Sequence, residues 1–166
     1  MAIRPASIDD LIAISQLVTA TVTTHIAPTL NPVGRQRLMT SVAEDATRQR
    51  FEDGWLHLVD ASEGTIHGVI VIKPICHLYH LFVTTRRQRL GIGRQLFEAA
   101  DAWTRHRHGS RLQTVNASIN AIEAYHAFGF EADGSIREVD GITFQPMKRL
   151  LVSSRRTPDN RVSEDL

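Results

Sequence analysis

Apolar positions in this chain recur at helical spacing in some stretches and at strand spacing in others, and residues that start or stop elements separate the two. Ile3-Arg4-Pro5 is a short extended start, where a sheet edge tolerates a proline because its missing N–H has no partner to lose. Ser7 to Asp10 then offers capping side chains ahead of Leu11, Ile14, Leu17 and Val18, which lie on one helical face. After a loop from Pro28 to Gly34, the stretch Arg35 to Arg50 lacks good breakers. It puts Leu38, Met39, Val42 and Ala46 on one side, predicting a second helix that Asp53-Gly54 ends. Trp55 to Asp60 and Thr65 to Ile72 are β-rich runs joined by Ala61-Ser62-Glu63-Gly64, the composition of a hairpin connection.

His77 to Val83 carries apolar or aromatic side chains on both faces, as expected of a central strand covered on both sides. From Arg94, the positions Leu96, Phe97, Ala100 and Trp103 follow the 3.6-residue period as far as Gly109. This is the clearest helix, and Trp103, like Trp55, reads as packing. Leu112 to Val115 is a short strand. A helix from about Ile119 to Phe128 follows, capped by Ser118 or Asn120 and stopped by Gly129, and Phe130 to Ala132 and Ile142 to Leu150 complete the sheet. The order predicts an α/β layer with helices on two faces. Residues 1–150 form one domain, and the polar, aperiodic segment 151–166 is expected to be a disordered tail.

Composition narrows the classes without naming one. The 166 residues are 42% hydrophobic and 22% charged, inside the globular range and long enough to hold a core without disulfides. Cys76 is the single cysteine, so no internal bridge forms, and it reads as a small buried residue. Nineteen basic against eighteen acidic residues leave a net charge of +1, too little to draw the whole protein onto nucleic acid. The N-terminus lacks a secretory pattern and no continuous apolar run approaches eighteen residues. The expectation is a cytoplasmic protein with no membrane or nucleic-acid partner, with a homodimer left open.

The chemistry concentrates between the central strand and the clearest helix, in Gln88-Arg89-Leu90-Gly91-Ile92-Gly93-Arg94. A helix start presents unpaired N–H groups and the positive end of the dipole, and Gly91 and Gly93 remove side chains that would block a phosphate. Arg86, Arg87, Arg89 and Arg94 surround it, and no acidic residue lies between Glu63 and Glu98. The local patch is positive although the protein is not, and a polyphosphate ligand is expected. Leu96 occupies the third-glycine position of a dinucleotide fingerprint and no Gly-Lys-Ser/Thr follows, so neither the Rossmann nor the Walker A pattern is complete.

These blocks resemble the GNAT superfamily of acetyl-CoA-dependent N-acetyltransferases over nearly the whole chain, most closely from His77 to Phe130. Leu81-Phe82-Val83 is similar to the end of that family's fourth strand. Gln88-x-x-Gly91-x-Gly93 is similar to its Gln/Arg-x-x-Gly-x-Gly/Ala loop, and Ala117-Ser118-Ile119-Asn120-Ala121 with Tyr125 and Gly129-Phe130 to its late helix. Many members have glycine where this chain has Arg89. The resemblance implies a mixed, mostly antiparallel sheet of about six to seven strands, splayed between the fourth and fifth. It further implies acetyl-CoA contacts at Phe82, Val83, Gln88, Arg89, Leu90, Gly91, Ile92, Gly93, Arg94 and Asn120, with Tyr125 as general acid toward the leaving thiolate.

A phenol and an alkyl thiol have similar acidity, near 10, so Tyr125 can exchange that proton at little cost. No carboxylate stands ready as base on the fourth strand. His80 is the candidate, ahead of His77, whose spacing predicts the opposite face. No metal site is expected. The reading is acetyl transfer to a small-molecule or protein amine by direct attack in a ternary complex, with Arg35 or Arg37 able to hold a carboxylate on a small substrate. The alternative is a non-catalytic acyl-CoA-binding sensor, which shares the cradle and lacks turnover.

Overall fold

Residues 2–150 are described by the structure, a computed structural model; the expected polar tail, 151–166, lies outside the described residues. Eight strands and five α-helices follow in the order β1 (Ala2–Pro5), α1 (Leu11–His25), α2 (Pro32–Val42), α3 (Glu44–Glu52), β2 (Leu56–Ser62), β3 (Thr65–Lys73), β4 (His77–Val83), α4 (Ile92–His108), β5 (Thr114–Ala117), α5 (Ile122–Ala127), β6 (Phe130–Ala132), β7 (Arg137–Val139) and β8 (Ile142–Arg149). The sheet runs β1-β2-β3-β4-β5-β8-β6 with β7 paired to β8, and among the described residues only β4 and β5 pair in parallel. This is the mixed, mostly antiparallel sheet that the resemblance implies, with one short strand more than expected.

Two cores sandwich the sheet. Ile92, Leu96, Phe97 and Ala100 of α4 pack with Leu58, Ile70, Leu78, Val115 and Tyr125 on one face. Ile14, Leu17, Val18 and Val22 of α1 pack with Val42, Val59, Val69 and Val71 on the other. The α4 stripe is completed by Thr104, not by Trp103: Thr104 is buried and donates to the Ala100 carbonyl at 2.7 Å, while Trp103 is exposed against His108. Among the described residues, the helical stretch Ile8–Thr29 is long and apolar enough to cross a membrane by length and composition. Ser15, Gln16 and its threonines interrupt any continuous apolar run, and its apolar side lies against the sheet.

The segment expected to be one helix from Arg35 to Arg50 is two. Asn31 caps α2 by accepting from the Gly34 N–H at 2.8 Å. The chain then turns extended at Ala43 (φ −61°, ψ 161°) before α3 begins with Glu44 and Asp45 in its first turn, where acidic side chains suit the dipole. β7 and β8 form a hairpin through Asp140-Gly141, both at positive φ, the conformation that a two-residue turn of this hand requires. That turn rests on the first turn of α2. A Cβ at Gly34 would stand 1.9 Å from the Gly141 carbonyl oxygen, and one at Gly141 would stand 2.7 Å from the Gly34 nitrogen. The two backbones touch because neither residue has a side chain.

One irregularity aims the site. Val71 pairs with His80 and Ile72 with Leu78, so Tyr79 is an extra residue in β4, a bulge that bends the strand and changes which face later side chains occupy. Leu78 and Leu81, three apart, both join the α4-side core, whereas Phe82 packs on the α1 side. Tyr79 and His80 consequently stand together, ring centroids 4.3 Å apart.

Candidate active site

β4 and β5 pair only at His77–Thr114 and Leu78–Val115. Beyond that point they diverge, leaving Tyr79 to Val83 without β5 as a partner on that side. At the open end of the wedge α1 ties the two strands' continuations together. The His25 carbonyl accepts from Asn120 Nδ2 at 3.0 Å, and His25 Nε2 lies 3.0 Å from Thr85 Oγ1. Asn120, expected to touch the cofactor, spends its amide on this tie and its Oδ1 on Ser118.

The loop after β4 runs into the start of α4 at Gly91, as its glycines suggested. Gly91 at φ +84° is the residue before α4 and supplies no side-chain cap, so the amides of Ile92, Gly93 and Arg94 have no capping acceptor from it. A Cβ at Gly91 would meet nothing within 4 Å, and one at Gly93 would meet only Val83 Cγ2 at 3.8 Å. The space over these glycines is open, and side chains there would fill it. Gln88 braces the loop by donating to the Val83 carbonyl at 3.1 Å. Arg89 holds φ +63°, a strained conformation for a side-chain-bearing residue and an easy one for glycine. Leu90 is exposed, whereas the Ile92 side chain is buried in the core, leaving only its amide for a ligand. Arg94 turns away from the cradle, donating to the Ala127 carbonyl at 3.4 Å with its guanidinium over Phe128.

From the wedge a cleft of about 660 Å³ extends beneath α2 and the β7–β8 hairpin. It brings together His77, Tyr79, His80 and Phe82 of β4, Asn116 of β5 and Tyr125 of α5, with Arg37 and Ser41 of α2 and Asp140 and Phe144 across from them. Tyr125 and His80 therefore do share a cavity. Tyr125 is buried and makes T-shaped contacts with Phe128 and Phe130. Burial holds its phenol above the ordinary value, so it keeps its proton, and its hydroxyl has no hydrogen-bond partner among the described residues. His77 shares the His80 face, contrary to the alternation, because the bulge resets it. His77 Nδ1 is engaged by Thr114 Oγ1 at 2.8 Å, which makes His80 the freer of the two.

The His80 ring lies between Tyr79 and Phe82. Its pKa falls to about 3, chiefly because burial disfavours the cation and secondarily because Arg50 and His57 stand nearby. It is neutral at any physiological pH. Arg35, the other arginine considered for substrate, donates to the Ala27 carbonyl at 3.3 Å and is absent from the cleft lining. Sequence reasoning missed Tyr79, Arg50 and Asp140. Only Asp140 carried a signal, since Asp-Gly between residues of a hairpin is the strongest short-range turn pattern.

A family model for the acetyltransferase (GNAT) domain matches residues 26–151. No curated protein matches the chain. Among solved structures, a GCN5-related N-acetyltransferase from Rhodopseudomonas palustris superposes with a TM-score of 0.75 at 22% identity, covering 90% of this chain and 95% of that one. The PaiA N-acetyltransferase from Thermoplasma acidophilum, in complex with coenzyme A, gives 0.70 at 17% over 90% and 100%. The ribosomal-protein-alanine N-acetyltransferase from Brucella melitensis gives 0.67 at 21% over 91% and 100%. At these identities the likeness is one of fold.

Proposed function

We propose that this chain, which belongs to the GNAT acetyltransferase family, moves an acetyl group from acetyl-CoA to a primary amine held in the cleft beneath α2. One observation carries the reading: a glycine cradle with uncapped amides opens at the end of β4, and the gap between β4 and β5 leads from it to His80 and Tyr125. The residues present fit the cofactor. The α4 amides and Arg89 would hold its diphosphate, and the side of β4 that β5 leaves open at Phe82 and Val83, where the Val83 carbonyl already accepts from Gln88, would meet its amide-bearing arm. Bound there, acetyl-CoA supplies an activated acyl carbon: the acceptor nitrogen's new bond to it replaces the carbon–sulfur bond, one amine proton leaves, and the thiolate gains one.

His80 takes the amine proton. A base whose conjugate acid has a pKa of about 3 does not deprotonate a free ammonium, so the acceptor enters as the neutral amine. The nitrogen becomes far more acidic as its bond to the acyl carbon forms, and a weak base then suffices. The same apolar surroundings, with the Arg50 charge behind them, favour that neutral form. Tyr125 donates to the sulfur. Burial raises phenol and thiol alike, so their acidities stay matched where both are buried.

The test follows free thiol release over a panel of amines, with coenzyme binding measured separately by calorimetry. Binding together with amine-dependent thiol release supports acetyl transfer. Binding without release for any amine overturns it in favour of a sensor, and no binding removes both.

A further inference from the structure

Arg50 is a buried cation with no carboxylate against it among the described residues. It is 8% exposed, donates to the Ser41 carbonyl and to the Tyr79 hydroxyl oxygen at 3.4 Å, and its guanidinium lies 4.8 Å from the Tyr79 ring centroid. A guanidinium without an anion is costly inside a protein. Ser41 and Tyr79 both line the cleft, so this charge stands one residue behind its wall. Because the Tyr79 oxygen accepts from Arg50, its own proton is left to be donated, and it reaches no acceptor among the described residues.

Arg37 lies one helical turn before Ser41 on α2, and residues four apart share a face. It also lines the cleft. Its only ionic contact among the described residues is Asp140, at 3.2 Å with both side chains more than half exposed. Such a pair is weak and leaves most of the planar fork's five donors unused. Asp140 is the one acidic residue in the cleft lining among the described residues. Arg37 and Arg50 therefore outweigh it, and the α2–β4 wall presents two donors, a guanidinium and a polarised hydroxyl, with no anion among the described residues to satisfy both.

The geometry points to a carboxylate on the acceptor: the amine acetylated is that of an amino acid, its carboxylate held by Arg37 and the Tyr79 hydroxyl, with Arg50 fixing that hydroxyl as a donor. This rests on the acetyl-transfer reading and sharpens it. The Tyr79 ring lies against His80, tilted by 38° with centroids 4.3 Å apart, so a carboxylate at Tyr79 sets an amine a few bonds away beside the proposed base.

The experiment compares amines that differ only by the carboxylate: phenylalanine with phenethylamine, leucine with isopentylamine, β-alanine with ethylamine. Each is assayed for kcat/KM with saturating acetyl-CoA. The expected result is a preference of about 10- to 100-fold for the amino acid in at least one pair, as a charge-assisted, bidentate contact gives. It should appear mainly in KM and collapse toward one in Arg37→Gln and in Tyr79→Phe. Decarboxylated amines used as well as or better than their amino acids overturn the proposal while leaving acetyl transfer intact. A preference that survives in both variants overturns it too. No turnover of any of these amino acids while another amine of the wider panel is acetylated overturns the proposal alone, and coenzyme binding with no turnover of any amine sinks the acetyl-transfer reading and this proposal with it.

Discussion

Replacing Gly34 by alanine puts a methyl group where the structure has only backbone. The added carbon would lie 1.9 Å from the Gly141 oxygen and 2.5 Å from its carbonyl carbon, well inside the roughly 3.5 Å at which such atoms rest, so the β7–β8 turn must withdraw by more than an ångström. Two effects oppose each other. Alanine is the better helix former by about 1 kcal/mol, and Gly34 sits inside α2 without a positive φ. Overpacking against a backbone that cannot rotate aside costs about 1–3 kcal/mol, and parting Arg37 from Asp140 adds at most about 1.

The clash should win, leaving the variant about 1–2 kcal/mol less stable in equilibrium urea unfolding at neutral pH. Because the withdrawn turn carries Asp140 and lies over the cleft, the acceptor KM should rise severalfold. The coenzyme Kd should hold, since its cradle is on α4. A variant as stable as the parent, or one whose loss falls on coenzyme binding, would refute the reasoning.

Tyr125→Phe should keep coenzyme affinity in calorimetry while kcat falls about 10²-fold or more; an unchanged kcat removes the phenol from the chemistry. Arg89→Gly relieves a left-handed residue and should raise Tm by about 2–4 °C, a gain near 1 kcal/mol, while weakening coenzyme binding a fewfold through the lost charge. His57 is buried against Phe51 with Nε2 unpartnered, and burial foremost lowers its pKa from 6.5 to about 4. The unfolded chain thus binds a proton that the native state refuses, so the stability is whole above pH 6.5 and is lost, by up to about 3 kcal/mol, as pH falls through 4. Urea midpoints at pH 8 and pH 4.5 should show this drop, and His57→Phe should make it clearly smaller.

What the sequence revealed was local. The cradle was legible because its chemistry is that of a few consecutive backbone groups, and glycine at positions 91 and 93 declares directly the space left by missing side chains. Helices α1 and α4 were legible from period alone. The break at Ala43 was not, since alanine gives no sign that its ψ will be extended, and β7 is exposed along its length, so it carries no alternation to detect. The bulge at Tyr79 defeated the period-two argument, and with it the placement of His77 and His80 on opposite faces. Arg37, Tyr79 and Asp140 line one cleft, with Arg50 behind Tyr79, only because α2, α3, β4 and the last hairpin converge, a long-range fact that no single window of sequence contains.

An interrupted sheet normally advertises itself. Strand edges with idle amides and carbonyls invite a neighbouring molecule to zip on, and outer edges need charges, prolines or bulges to discourage it. Here the idle edges face each other inside the layer, and the bonds from His25 to Thr85 and from Asn120 to His25 bar the end through which another strand would slide. The protein can thus leave a gap in its hydrogen-bond ladder for a ligand without offering it as a seed for self-association.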